Sequence, residues 1–329
     1  MWNCIKSVVR GKSHISENIP CQDKVFSLNK NDCTVISLAD GAGSARFSHF
    51  GAEAVTQYIC RDLEINFSSY FNSEDGTVVK KQLLDKIIIC LKGISKQQNC
   101  ELRDLASTLL AVAIKDDNFI LLHIGDGVIG FLNEDELKVA SVPYNGEFVN
   151  TTVFTTSETA LTSMKLIKGC LKNINGFVLM SDGCEVSLYN KKENKLSLAI
   201  KRVMNLMSLI PLDKLESQLD YSMQNVIAKK TMDDCSIITV TRNCFEGYCS
   251  LSQNDKCKIL QIDCLRLKQY DRFNKILLFL REEKTLKEIS KYIHLKPKYT
   301  KKKYIDKLLC LNYIEQQNSY RYKTILKME

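Results

Sequence analysis

Cys33-Thr34-Val35-Ile36-Ser37-Leu38-Ala39-Asp40-Gly41-Ala42-Gly43 is the stretch on which the fold turns. It is a short β-rich run that ends in a carboxylate and a glycine-rich turn. A carboxylate at the end of a rigid strand is held in a fixed direction, and the glycine beside it lets backbone or solvent approach closely. A carboxylate at a strand end recurs twice, once more with a following glycine and once before the strand without one. Phe177-Val178-Leu179-Met180 runs into Ser181-Asp182-Gly183, and Asp233-Asp234-Cys235 leads directly into Ser236-Ile237-Ile238-Thr239-Val240. Taken singly, each Asp-Gly is also a common turn. Several carboxylates meeting from separate strands repel one another unless cations are present. Oxygen-only donors suit Mg²⁺ or Mn²⁺. Two such ions about 3.5–4 Å apart acidify a bridging water and stabilise the charge of an in-line phosphoryl displacement.

Outward from these turns, residues 1–242 read as an α/β unit. Ala52, Val55, Tyr58, Ile59 and Leu63 recur at helical spacing between Ser48 and Phe67, and a second helix is predicted over Val79–Ile94. Strands are predicted over Ser107–Ile114, Phe119–Ile124 and Val128–Leu132, joined by Asp116-Asp117-Asn118 and Gly125-Asp126-Gly127 turns. Residues 133–175 read as polar and irregular. A helical stretch over Leu212–Lys229 precedes the last strand.

Composition bounds the class. Of 329 residues, 45% are hydrophobic and 26% charged, an ordinary globular balance. No apolar run approaches the roughly 20 residues of a membrane span, and the N-terminus lacks a secretory layout, so the sequence predicts a cytoplasmic protein without membrane attachment. The 14 cysteines are scattered, with no Cys-x-x-Cys pair, and read as reduced thiols. Cys244, Cys249, Cys257 and Cys264 are spaced more loosely than the paired ligands of a zinc site. Cys4 to Arg10 matches Cys-x5-Arg, but its interior, Ile-Lys-Ser-Val-Val, reads as a strand and not as a phosphate-cradling loop. There is no nucleotide-binding Gly-x4-Gly-Lys loop, and Arg46 stands where a dinucleotide fingerprint needs its third glycine.

The ordered series is more specific than any one motif. Asn18-Ile19-Pro20-Cys21-Gln22-Asp23, Ala39-Asp40-Gly41-Ala42-Gly43-Ser44, Ser107-Thr108, Gly125-Asp126-Gly127, Ser181-Asp182-Gly183 and Asp233-Asp234-Cys235-Ser236 follow in that order. The series resembles the metal-dependent serine/threonine phosphatases of the PPM type, the protein phosphatase 2C family, over roughly residues 7–241. Gly11-Lys12-Ser13-His14 and Pro20-Cys21-Gln22-Asp23 look like a bacterial branch.

The resemblance implies an α+β fold, a four-layer α-β-β-α sandwich with metals in a cleft at one end. It also implies hydrolysis of phosphoserine and phosphothreonine in proteins by water activated at a dinuclear Mn²⁺ or Mg²⁺ centre. In it, Asp40 bridges the two ions and the Gly41 carbonyl coordinates one. Asp182 and Asp233 supply the remaining direct ligands, Asp23 holds waters around the ions, and Asp126 serves a third, weaker ion. Read from the residues alone, Asp126 is equally a hairpin-turn residue. Asp234 stands where the family often has Asn and reads as support. Two departures touch the mechanism: Asn18 replaces an Arg that binds phosphate in many members, and Ala42 replaces a His. Arg10, His14 and Arg46 are the candidates for the phosphate-binding role. The alternative from a different class is a phosphatase-fold sensor, catalytically weak or inactive, acting through its C-terminal module.

That module starts after a connector at 243–264. From Leu265 to Glu329 there are 17 Lys and Arg against 7 Asp and Glu, while the 264 residues before hold 29 basic and 31 acidic. Helices are predicted over Phe273–Leu280, after the Thr285-Leu286-Lys287-Glu288 capping box, and from Tyr299 or Thr300 through Leu309. A hairpin over Ile314–Tyr322, turning at Gln317-Asn318-Ser319, completes an order similar to a winged helix at 265–329. Lys298, Lys301, Lys302 and Lys303 are candidate nucleic-acid contacts, and a protein partner is the other reading of the same basic face.

Overall fold

The computed structural model describes residues 2–142, 152–242, 246–318 and 320–329. The chain divides into two compact units, Met1–Met204 with Glu216–Arg242, and Asn205–Leu215 with Asn243–Glu329.

Among the described residues of the first unit, ten strands form two antiparallel sheets: β1 (Trp2–Val9), β2 (Lys24–Lys30), β3 (Cys33–Ala39), β4 (Leu109–Lys115), β5 (Asn118–Ile124), β6 (Val128–Asn133), β7 (Glu136–Ser141), β8 (Lys165–Cys170), β9 (Ile174–Met180) and β10 (Cys235–Arg242). One sheet runs β1-β10-β9-β6-β7 and the other β2-β3-β4-β5-β8. The period-2 alternation of β3 and β4 sends side chains into two different cores. Ile36, Leu38, Leu110 and Val112 meet Ile129, Phe177, Leu179, Ile238 and Val240 between the sheets. Val35, Ala39, Leu109 and Ala111 pack on the other side against two long helices, α1 (Ser48–Asn72) and α2 (Gly76–Gln98). Buried strands in such a sandwich are apolar on both faces, which is why β3 and β4 read as continuous hydrophobic runs. The outer face of the first sheet is covered as well. Val178, Met180, Ile237 and Thr239 are buried there, a turn at Met223–Ile227 lies against β1, and Met204 lies over Gly176. The expected sandwich layering is the one observed.

The helices have clear local causes. Asp75 caps α2, accepting the N–H groups of Thr77 (2.8 Å) and Val78 (3.2 Å). Asn99 ends it in the left-handed conformation, at φ 50°.

The described residues between 133 and 175 are not irregular as expected: β7, a short helix at Ala160–Ser163 and β8 lie among them, while 143–151 fall outside the described residues. Both strands are sheet edges. Edge strands are half solvated and carry lysines, so Glu136-Leu137-Lys138-Val139 and Lys165-Leu166-Ile167-Lys168 show no long apolar run.

In the second unit, the stretch read as a connector contains α3 (Gln253–Leu260), capped by Ser252. Then follow α4 (Leu267–Phe279), β11 (Lys284–Thr285) and α5 (Leu286–Tyr292). The next helix, α6, is built of consecutive segments Pro297–Thr300, Lys301–Ile305 and Asp306–Cys310, the middle one a π turn. The hairpin strands β12 (Ile314–Gln317) and β13 (Arg321–Thr324) close a three-stranded sheet ordered β11-β13-β12. The capping box at Thr285 and Glu288 forms as read. The short strand β11 has no sequence signal of its own, because two residues are too few for a period. Ser319 of the expected turn, and Cys244, lie outside the described residues.

Candidate metal centre

Strand register brings the acidic turns together. In one sheet Lys24 pairs with Ala39, so Asp23, just before β2, and Asp40, just after β3, stand at neighbouring strand ends. In the other sheet Met180 pairs with both Val128 and Ile237. Asp126 precedes β6, Asp182 follows β9, and Asp233 precedes β10, so these three also emerge at one end.

Backbone contacts fix the turns. The Asp40 N–H donates to Thr108 Oγ1 (2.8 Å), and the Thr108 N–H donates to the Asp40 carbonyl (2.8 Å). Gly41 bridges to Ser107. This is the structural work of the Ser107-Thr108 pair. The Ser181 N–H donates to the Ser236 carbonyl (3.0 Å), and the Ser236 N–H returns to Ser181 Oγ (3.0 Å). That double link aligns Asp182 with Asp233. Gly183 is required because a Cβ there would collide with the Asp234 carbonyl, and Gly11 because one there would collide with the Asp233 backbone.

The electrostatics are those of crowded carboxylates. Asp23 is wholly buried and neither carboxylate oxygen has a hydrogen-bond partner; Asp182 Oδ1 is buried without one too. Burial, with the charges of Asp23, Asp182 and Asp233 adding, holds the Asp40 carboxyl well above the usual range. Burial pushes Asp23 up to about 7, against the Ser236 and Ser181 hydroxyls, which lower it, and with the Asp234 and Asp182 charges adding. Burial and the Asp126 charge push Asp182 up to about 6. Asp40 and Asp182 lie close enough for the state of each carboxyl to bear on the other. Asp126 accepts from Thr152 Oγ1 (2.5 Å).

Buried carboxylate oxygens without donors are what an oxygen-ligated cation needs, so this donor set fits Mg²⁺ or Mn²⁺. No three His, Cys, Asp or Glu side chains among the described residues are gathered closely enough to grip one ion by themselves. That suits ions which keep several waters and take one or two carboxylates each.

Residues 10–220 match the protein phosphatase 2C family. This chain belongs to that family. A serine/threonine-protein phosphatase of Escherichia coli K12, phosphatase 3, is 25% identical over 177 residues, half of this chain and 66% of that relative. The chain thus spans just under two thirds of that relative's length. Among solved structures, a bacterial serine phosphatase is similar over 73% of this chain and 98% of its own, with TM-score 0.54 and 15% identity. The Staphylococcus aureus serine/threonine phosphatase Stp1 is similar over 74% and 95%, with TM-score 0.51 and 17% identity. These likenesses show the protein phosphatase 2C fold.

The three residues considered for phosphate binding are placed differently from one another. His14 is 8% exposed, and its Nδ1 lies 2.9 Å from Asp234 Oδ1. Arg10 donates to the His14 carbonyl (2.7 Å), and its Nε is buried without a partner. Both are built into the loop that carries Asp23. Arg46 is exposed, with its guanidinium over the Phe47 ring at 5.2 Å. Sequence reasoning missed a cation that does stand beside the acids. Lys191 pairs with Glu185 (2.5 Å) and feels the Asp182 and Asp126 charges. Glu185 is 9% exposed, and Oε1 lacks a partner. The available signal was its place one helical turn past Asp182.

The raised carboxyls fix a pH dependence for the metal-free protein. The folded pKa values of Asp23 and Asp182 lie above that of an unfolded Asp, about 4. As pH rises from about 4 through 7, the unfolded chain therefore ionises more readily than the folded one, and stability falls. The melting midpoint of chelator-treated protein is expected to drop between pH 5 and 7.5. Added Mg²⁺ is expected to raise it more at pH 7.5 than at pH 5. A flat or rising metal-free profile would contradict this account of the site.

Proposed function

We propose that this chain hydrolyses phosphoserine and phosphothreonine in proteins, with a divalent-ion pair, Mn²⁺ or Mg²⁺, and no covalent enzyme intermediate. One observation carries the reading: strand register and the Asp40–Thr108 and Ser181–Ser236 links aim Asp23, Asp40, Asp126, Asp182 and Asp233 at a common region in a protein phosphatase 2C family member. Asp40, Asp182, Asp233 and the Gly41 carbonyl would hold the ions, with Asp23 supporting and Asp126 serving a third. Cations bound there supply Lewis-acid polarisation of the phosphoryl oxygens and a lower pKa for water. The chain's own part is positional and electrostatic. The crowded aspartates resist ionising together, so the site takes its full negative charge only as cations bind and offset it, and those cations then admit an anionic ester. Asp23, wholly buried beside these acids, would hold waters around the ions. Lys191 is the side chain that supports phosphate capture at the rim. Water oxygen bonds to phosphorus, and the seryl or threonyl oxygen leaves as the hydroxyl.

The described cysteines are all free, and no helix among the described residues is long and apolar enough to cross a membrane. A cytoplasmic phosphoprotein is the proposed substrate. The second unit is proposed as a docking module for DNA or a protein. Release of inorganic phosphate from phosphoserine and phosphothreonine peptides tests the activity. Turnover is expected with Mn²⁺ or Mg²⁺, falling at least about 100-fold on chelation. No release from any peptide with either ion would favour the non-catalytic sensor.

A further inference from the structure

In the second unit the charges are segregated. Its carboxylates are largely spent locally: Glu282 pairs with Lys284, Glu315 with Lys214, and Glu329 with Arg281, while Glu288 caps Thr285. The cations of α6 and the hairpin are not spent. Lys298, Lys301, Lys302 and Lys303 on α6, with Arg321 and Lys323 on β13, are exposed, and none is ion-paired among the described residues.

Packing explains why the lysines of α6, and separately the two cations of β13, point away from the core. Thr300, Tyr304, Ile305, Leu308 and Leu311 fall on one side of α6 and are buried with Phe273 and Ile276 of α4, Ile289 of α5 and Tyr322 of β13. Phe273 and Tyr304 meet edge to face at 4.8 Å. With that side committed to the core, Lys298, Lys301 and Lys302, at i, i+3 and i+4, share the solvent side of the helix. Lys303 is steadied by Tyr299, whose hydroxyl accepts from its Nζ at 2.8 Å. On β13, Arg321 and Lys323 alternate with buried Tyr322 and Thr324, so both point away from the core.

We propose that α6 and the β12–β13 hairpin form a duplex-DNA binding surface, α6 lying in the major groove and the hairpin cations on the flanking phosphates. The shape supports this occupant. A 14-residue helix is about 21 Å long and, with side chains, about 10–12 Å across, and the major groove of B-DNA is about 12 Å wide and takes one helix. A helix presenting cations on one side and a neighbouring basic ribbon is complementary to two phosphate rows. Duplex RNA is excluded by the same geometry, because its major groove is too deep and narrow for a helix. This surface makes specific the docking role proposed above and does not depend on the catalytic reading.

Fluorescence anisotropy of the full chain with a labelled mixed-sequence DNA duplex tests it. The apparent Kd is expected to weaken by about 10³-fold between 50 and 200 mM salt, as six phosphate contacts require. The quadruple change Lys298→Gln, Lys301→Gln, Lys302→Gln, Lys303→Gln is expected to cost at least about 100-fold at 50 mM salt and to flatten the salt dependence. All four side chains are exposed, so the melting midpoint is expected to stay at the parent value. Lys81→Gln with Lys92→Gln, exposed on α2, is expected to change nothing. Asp40→Asn is expected to stop hydrolysis and leave duplex binding intact, so the two readings fail separately. The proposal is overturned if the duplex is not bound at 50 mM salt. Equal loss in the α2 control, binding of the quadruple variant within twofold of the parent, or duplex RNA held as tightly as DNA would each overturn it too.

Discussion

Asp40→Asn is expected to lower the rate of phosphate-ester hydrolysis by about 10³-fold, a loss of about 4 kcal/mol of transition-state stabilisation. The substitution keeps the shape of the side chain. It keeps the two backbone hydrogen bonds that tie residue 40 to Thr108, because neither involves the carboxylate. What it removes is a negative charge placed among Asp23, Asp182 and Asp233. In the metal-free protein that charge is a liability, since burial and its acidic neighbours all oppose ionisation of Asp40. The variant is therefore expected to melt at the parent temperature or above it without divalent ions, and to gain less from added Mg²⁺ or Mn²⁺. Lost turnover with unimpaired folding separates a ligand from a structural residue. Turnover within tenfold of the parent would remove Asp40 from the proposed chemistry. Such a site trades stability for function: the fold maintains a cluster of like charges that favours an empty, protonated state until cations arrive.

The parts legible in the sequence were those with strong local signals. The acidic turns at Asp40, Asp182 and Asp233 stood out because each adjoins the end of a strongly apolar strand. The capping box at Thr285 announced the start of α5. Register was not legible, yet it is register that carries Asp23 to Asp40 and Asp182 to Asp233. Pairing is set by the match of whole strands and not by any residue near the site. The edge strands β7 and β8 were missed because solvent on one side dilutes their hydrophobicity. Glu185 and Lys191 were missed for another reason. Their significance comes from a short helix at Glu185–Leu188 and a hairpin pairing Tyr189–Asn190 with Lys195–Leu196 just past Asp182, a path that residue type does not encode. His14 was one of three candidates for the roles left open by Asn18 and Ala42. Its partner, Asp234, lies 220 positions away and was visible only in three dimensions.

That partnership underlies the largest stability effect expected in the first unit. Asp234 is 1% exposed, and its carboxylate accepts the Gly11 N–H (2.6 Å) and the Gln22 N–H (2.5 Å) and pairs with His14 (2.9 Å). Despite burial, these backbone donors and the imidazole hold its carboxyl below the usual range. A depressed folded pKa contributes stability that is complete above the unfolded value and is lost as pH falls below about 4, the reverse of the trend set by Asp23. Asp234→Ala leaves the N–H groups of Gly11, Gln22 and, at 3.4 Å, Asp23, with one buried imidazole, without their acceptor. The expected cost is about 3–5 kcal/mol, a melting midpoint lower by about 6–20 °C for a unit of this size. Asp234→Asn keeps one acceptor oxygen and is expected to lose about half as much. The damage should reach activity before it reaches unfolding. Gly11, His14 and Gln22 belong to the loop that delivers Asp23, so releasing them lets that carboxylate drift from Asp40 while Asp40, Asp182 and Asp233 stay on their strands. Phosphate release by Asp234→Asn, measured well below its melting midpoint, is expected to fall 10- to 100-fold, about the effect of losing support behind a ligand shell. Full activity in a variant that melts early would assign Asp234 to stability alone and detach the N-terminal loop from the chemistry.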